Sequence, residues 1–217
     1  PEISDIGTEG ETEQVKHYLD EGLVFTGLFL IPGLFGAIAI GSDLLQIYSP
    51  EFTQGSMILI ILIGARILDA YASQITGIIK ALDRPDLVLR IDLLFVGVNL
   101  VLNYVLIATY GWYGAATATF LSGVVTLALS YYAISTLIGR PSVPLREIAH
   151  EILAAIVMFG CIWGLESAVP GGNFVTVALV VSGAGIYSVV LLAISARIRQ
   201  KAKALAPEAV KQVTGLS

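Results

Sequence analysis

FTQGSMILIILIGARILDAYASQITGIIK, residues Phe52–Lys80, decides the fold, because it reads as a membrane-spanning helix that carries charge where charge is most costly. Counting from Arg66, polar residues follow at Asp69, Ser73, Thr76 and Lys80. Steps of three and four place all five on one helical face, and the rest is mostly Ile, Leu, Ala and Gly. If the helix starts near Ser56, Arg66 lies about 15 Å along its axis, close to the middle of a ~30 Å hydrocarbon layer. An Arg there costs about 2.5–3.5 kcal/mol on insertion scales, so the stripe must face protein or water rather than lipid.

The rest of the chain agrees with a bilayer as solvent. Charged residues make up 13% of the 217, hydrophobic residues 56%, and mean hydropathy is +0.83. A soluble domain carries about 25% charge, so most soluble enzyme classes are excluded. The 22 glycines suit membrane helices, where small residues let backbones approach. A net charge of −5 argues against a nucleic-acid partner. Cys161 is the single cysteine, so no intrachain disulfide or thiolate cluster is expected. The chain opens on Pro1, with an acidic segment and no basic n-region before its first apolar run; no signal peptide is expected, and a piece of a longer protein is.

Upstream of the striped helix, residues 1–21 are acidic and polar. Thr8 and Glu11 stand at capping-box spacing, which predicts a short helix lying at the membrane surface. Leu23–Ile40 is free of charge and predicts a span over about 22–48, kinked at Pro32-Gly33. Gly33, Ala37 and Gly41 repeat as a close-packing seam. The striped helix covers about 52–80.

Downstream comes a tight basic connection, KALDRPDLVLR, in which Pro85 forbids continuation of the helix. A third span over 87–110 carries Asp92, Asn99 and Asn103 on one face. The link YGWYG leads to a fourth span over 112–138, with a second small-residue seam at Gly114, Ala118 and Ser122. A fifth span over 145–169 and a sixth over 174–198 meet at the turn PGGN. A basic tail, 199–217, closes the chain. The fold class is all-α: a polytopic, six-transmembrane-helix bundle with no globular insert.

Of the twelve Lys and Arg, all but Arg66 fall on the side that carries both ends, and the loops around Ser49, Gly111 and Gly171 have none. By the positive-inside rule both termini are expected in the cytoplasm of a multi-pass cell-membrane protein.

No catalytic constellation, cofactor motif or metal site is legible. His17 and His150 have no partners at ligand spacing, and neither a phosphate-binding glycine loop nor a serine with a base is found. What remains is intramembrane polarity. Arg66 and Asp69 read either as a neutralised pair that locks the helix to a neighbour, or as a binding site in a hydrated cavity; Arg suits a phosphate through its bidentate fork. Ser73 shares that face. Asn99 and Asn103 read as helix-to-helix glue or as substrate contacts. Lys80, Arg84 and Arg90 read as topology determinants, with headgroup contact as a second role.

The opening PEIS, with its acidic helix, and the run from Gly77 to Ser122 resemble the C-terminal half of polysaccharide flippases of the multidrug/oligosaccharidyl-lipid/polysaccharide exporter superfamily. In that family a glycine-bearing helix ends in a short basic loop, the next helix carries paired asparagines, and a Tyr-Gly-x-x-Gly-Ala-Ala turn starts the one after. Gly77, Lys80, Asn99, Asn103, Tyr110, Gly111, Gly114, Ala115 and Ala116 stand at those positions. The resemblance implies twelve or fourteen helices in two bundles, of which these are the last six, and a missing N-terminal helical bundle as partner. It implies transport rather than catalysis: a polyprenyl-linked oligosaccharide turned across the membrane, with membrane lipids around it. It carries over no substrate-binding residues, so Arg66 and Asp69 rest on their placement. A cation-coupled multidrug exporter of the same superfamily, with Asp69 as ion carrier, is the alternative within transport. A membrane enzyme or a scaffold acting on lipid-linked sugars is the alternative outside it.

Overall fold

In hydrocarbon every peptide N–H and C=O must be satisfied inside the chain, so long apolar runs fold as helices. The computed structural model describes residues 2–168 and 172–201. Its elements are α1 (Glu2–Tyr48), a 3-10 turn (Pro50–Gly55), α2 (Ser56–Ala81), α3 (Pro85–Tyr110), α4 (Trp112–Ile138), α5 (Leu145–Ala168) and α6 (Asn173–Ile194). Among the described residues, six helices are long and apolar enough to cross a membrane. The side chains of Thr8 and Glu11, the first two residues of the PGGN turn, and the tail beyond Lys201 lie outside the described residues.

α1 differs from expectation in two ways. It runs from Glu2 through residue 21 into the first span as one helix among the described residues, and its non-helical backbone falls at Ile40 (φ −126°, ψ 18°) rather than at Pro32. Neighbouring helices let a membrane helix absorb the bond a proline removes. The break comes where Gly41 meets Leu59 of α2.

The turns are short because each is satisfied locally. At the end of α2, Asp83 takes a left-handed conformation (φ 55°) and its N–H reaches Lys80 O, while Arg84 N–H reaches Ile79 O. This paired closure uses up the orphan carbonyls, and Pro85, which has no N–H to satisfy, starts α3. Between α3 and α4 the connection is Gly111 alone, at φ 57°.

α1 joins two cores. Its first half packs Leu19 and Leu23 against Ile75, Ile79, Val88, Ile134 and Ile138 of α2, α3 and α4. Its second half packs Ile31 and Ile40 against Ala154, Ala155, Met158, Ile162, Tyr187 and Leu191 of α5 and α6. The seam on α4 is used throughout: Gly114, Ala118 and Ser122 are all buried. The seam on α1 is used in part, with Ala37 buried and Gly33 lining an open apolar groove of about 660 Å³ between α1, α5 and α6.

Candidate functional site

The polar stripe on α2 is placed by what lies opposite it. Ala65, Ala72, Ile75 and Ile79 form the buried face, turned to α1 and α4. A helix that buries one stripe must present the other, and Arg66, Asp69, Ser73 and Lys80 are all exposed, with Thr76 half-buried. Arg66 Nη1 donates to Asp69 Oδ2 at 2.8 Å, and the two side chains remain 75% and 53% exposed. These side chains therefore lie on the face of α2 opposite its packed stripe. The pair is one turn apart on a single helix and ties α2 to no neighbour, so the locking role is absent among the described residues.

Asn99 and Asn103 go elsewhere. Asn99 Nδ2 donates to Ser122 Oγ on α4 (3.2 Å), and Asn103 Nδ2 donates to Asn99 O and Oδ1 (2.9 Å each). Ser122 in turn donates to Ala118 O. This is the glue arrangement: α3, whose other face is largely exposed apolar surface, is held on α4 by a half-buried amide chain. The structure does not bring the asparagines onto the Arg66 stripe. Of the cations in the connection, Arg84 is engaged by Asp86 (3.1 Å), while Arg90 and Lys80 are exposed.

Two polar groupings escaped the sequence reading. One is ionic, at the end of the bundle that carries the chain's ends. Arg197 pairs with Asp20 of α1 and Glu147 of α5, and Lys201 with Glu21 at 2.6 Å, over the Phe25 ring. Ser195 interrupts the chain after α6, its O and Oγ accepting from Arg199 N–H and Ile198 N–H, and residues 196–201 are helical again. Burial opposes the Arg197 charge, but Asp20, Glu147 and Glu21 outweigh it and raise its pKa above the ordinary value. The other is Glu151 of α5, which is wholly buried. Its spacing was a usable signal, since Glu151 is in phase with Ala154, Ala155, Met158 and Ile162, the buried face of α5.

No protein-family model matches the chain. Two proteins of Haloferax volcanii are similar to it. "Probable flippase AglR" is 29% identical over 214 residues, 97% of this chain and 45% of that protein. "Probable low-salt glycan biosynthesis flippase Agl15" is 29% identical over 170 residues, 78% of this chain and 36% of that protein. Among solved structures, "Lipid II flippase MurJ, inward closed conformation" matches with a TM-score of 0.73 at 17% identity, over 85% of this chain and 40% of that one, and so shares the fold. The chain spans less than half the length of each. It is homologous to these two Haloferax proteins, and the expected resemblance to flippases is borne out.

Proposed function

We propose that this chain forms part of a flippase that moves a polyprenyl-phosphate-linked oligosaccharide across the cell membrane, with the outward face of α2 lining the passage. The observation that carries this is Arg66–Asp69, exposed about 15 Å into a helix flanked by Ile and Leu. Exposed charge at that depth cannot rest against hydrocarbon, so water, substrate or a second helical bundle covers it. Two relatives named as probable flippases, both more than twice as long as the stretch they share with this chain, leave room for a second bundle in the full-length protein.

A sugar-phosphate headgroup cannot cross hydrocarbon unaided; a chamber with a guanidinium fork on its wall can hold the phosphate while the lipid tail stays in the bilayer. Arg66 binds the phosphate in this scheme, and Asp69 fixes the guanidinium plane. Ser73, one turn on, offers a hydroxyl to sugar. Lys80, at the end of the same stripe, meets arriving headgroups, while Arg84 and Arg90 set topology. Both termini lie in the cytoplasm, where the Arg197–Lys201 cations belong. Asp69 already has Arg66 as counter-ion, which leaves this stripe without a free carboxylate for a coupling cation and puts the drug exporter second.

The test is surface-glycan export by the full-length protein carrying Arg66→Ala at normal membrane levels. Loss of a charge-assisted contact of about 1.5–3 kcal/mol lowers export about ten- to hundredfold. Unchanged export discards the role of Arg66, and normal export from cells lacking the protein altogether discards the flippase.

A further inference from the structure

Glu151 sits where the two cores meet. Its side chain is fully buried, both carboxyl oxygens lack a hydrogen-bond partner, and no cation contacts it among the described residues. Gly27 of α1 makes the room: a Cβ there would stand 2.1 Å from Glu151 Oε2 and 2.7 Å from Tyr71 Oη of α2. Tyr71 Oη is also buried and unpartnered, and so is Tyr187 Oη of α6. Glu151 and Tyr71 thus meet at Gly27, and Tyr187 packs in the same buried cluster as Ala154, Ala155 and Met158, the residues that share the buried face of α5 with Glu151. Four helices thus converge on four orphan oxygens.

The groups facing this point can be named element by element. α1 offers only the bare Gly27 backbone at this level, with Asp20 and Glu21 further out at its polar end; α2 offers Tyr71 and α6 offers Tyr187. On α5, Glu147 lies one turn toward the chain-end face of the bundle and is already engaged by Arg197. None of these supplies a positive charge to Glu151. An isolated carboxylate in an apolar interior costs far more than a neutral acid, so something positive must join it. One carboxylate with two neutral phenols is a poor metal set, since hard cations take six or more oxygens or several carboxylates.

From this geometry we infer that Glu151 is an intramembrane proton-binding site, filled from the chain-end face by way of Glu147. The step is a simple addition: a proton leaves water at the polar end, passes the Glu147 carboxylate, and ends bonded to one Glu151 oxygen. No other bond changes. The acid so formed has one donor and one acceptor to offer Tyr71 and Tyr187, whose side chains must shift toward it to complete the bonds. Protonated, Glu151 lets α1, α2, α5 and α6 pack dry; ionised, it draws water into the junction between the two cores. The site uses faces that the Arg66 stripe does not, and it stands or falls on protonation rather than on transport.

Difference infrared spectroscopy of the full-length protein in lipid nanodiscs tests this, comparing neutral with strongly alkaline buffer in potassium salts. The expected result is a protonated-carboxyl C=O band at neutral pH that alkali removes and that is lost in Glu151→Gln but kept in Glu166→Gln. Glu147→Gln keeps the band and slows its loss after a pH jump several-fold. Tyr71→Phe, which preserves shape if Glu151→Gln folds poorly, shifts the band upward by removing a hydrogen bond. A spectrum with no Glu151-dependent band at neutral pH overturns the inference. So does a band abolished by sodium at constant pH, which would make the occupant a metal ion.

Discussion

Replacing Gly114 by Ala probes the contact on which the α3–α4 hairpin depends. A Cβ at Gly114 would stand 2.0 Å from Leu106 O, 2.3 Å from Leu106 C and 2.8 Å from Ile107 N, all backbone atoms of α3. A carbon-to-oxygen contact settles at about 3.3–3.6 Å, so the helices must part locally by roughly 1.3–1.6 Å. No rotamer can relieve it, because nothing on the α3 side rotates. Overpacking costs about 1–3 kcal/mol where side chains can adjust, so a clash with backbone belongs at the upper end. The same parting strains the Asn99–Ser122 bond on that interface. Thermal unfolding of the purified full-length protein in detergent reads the loss. At about 2–4 °C per kcal/mol for a domain this size, Gly114→Ala should melt roughly 6–12 °C below the parent. Gly97→Ala, on α3 with nothing within 4 Å of the added carbon, serves as control and should melt no lower than the parent. A Gly114→Ala protein as stable as the parent, or a control that falls as far, refutes the close approach.

Asn99→Leu removes the donor to Ser122 and should destabilise the protein by about 0.6–1.7 kcal/mol, the range of interhelical hydrogen bonds in a bilayer, in the same melting assay. An unchanged midpoint would return Asn99 to the list of substrate contacts. Arg197→Ala leaves Asp20 and Glu147 facing each other without a cation, and limited proteolysis should then cut near Ser195 faster. High salt should narrow the gap between parent and variant, because these groups are only partly buried. With Cys161 replaced by Ser, a Glu51→Cys protein should react with an impermeant maleimide added to intact cells and an Arg140→Cys protein should not. The reverse pattern would overturn the proposed orientation.

Much of this architecture was legible before any coordinates. Leu23–Ile40 and the other apolar runs had to become internally bonded helices, and Pro85 and Gly111 had to interrupt them. The phase of the Arg66 stripe also followed from spacing, because one helix carries its periodicity wherever it packs. What spacing could not say is which neighbour a phase would meet. Asn99 and Asn103 were readable as glue or as cavity residues until Ser122 appeared opposite them.

Glu151 and Arg66 show the division most clearly. Arg66, deep in an apolar run, had to face protein or water and lies exposed on the helix surface; Glu151, close behind a polar loop, drew no notice in the sequence and is sealed. Sequence by itself determined which runs are helices long and apolar enough to cross a membrane and which residues share a face, since both follow from backbone hydrogen bonding and a fixed helical period. Only the tertiary structure decided which polar groups are dry, because dryness belongs to no single helix: at Glu151 it takes Gly27, Tyr71 and Tyr187 from three others to exclude water.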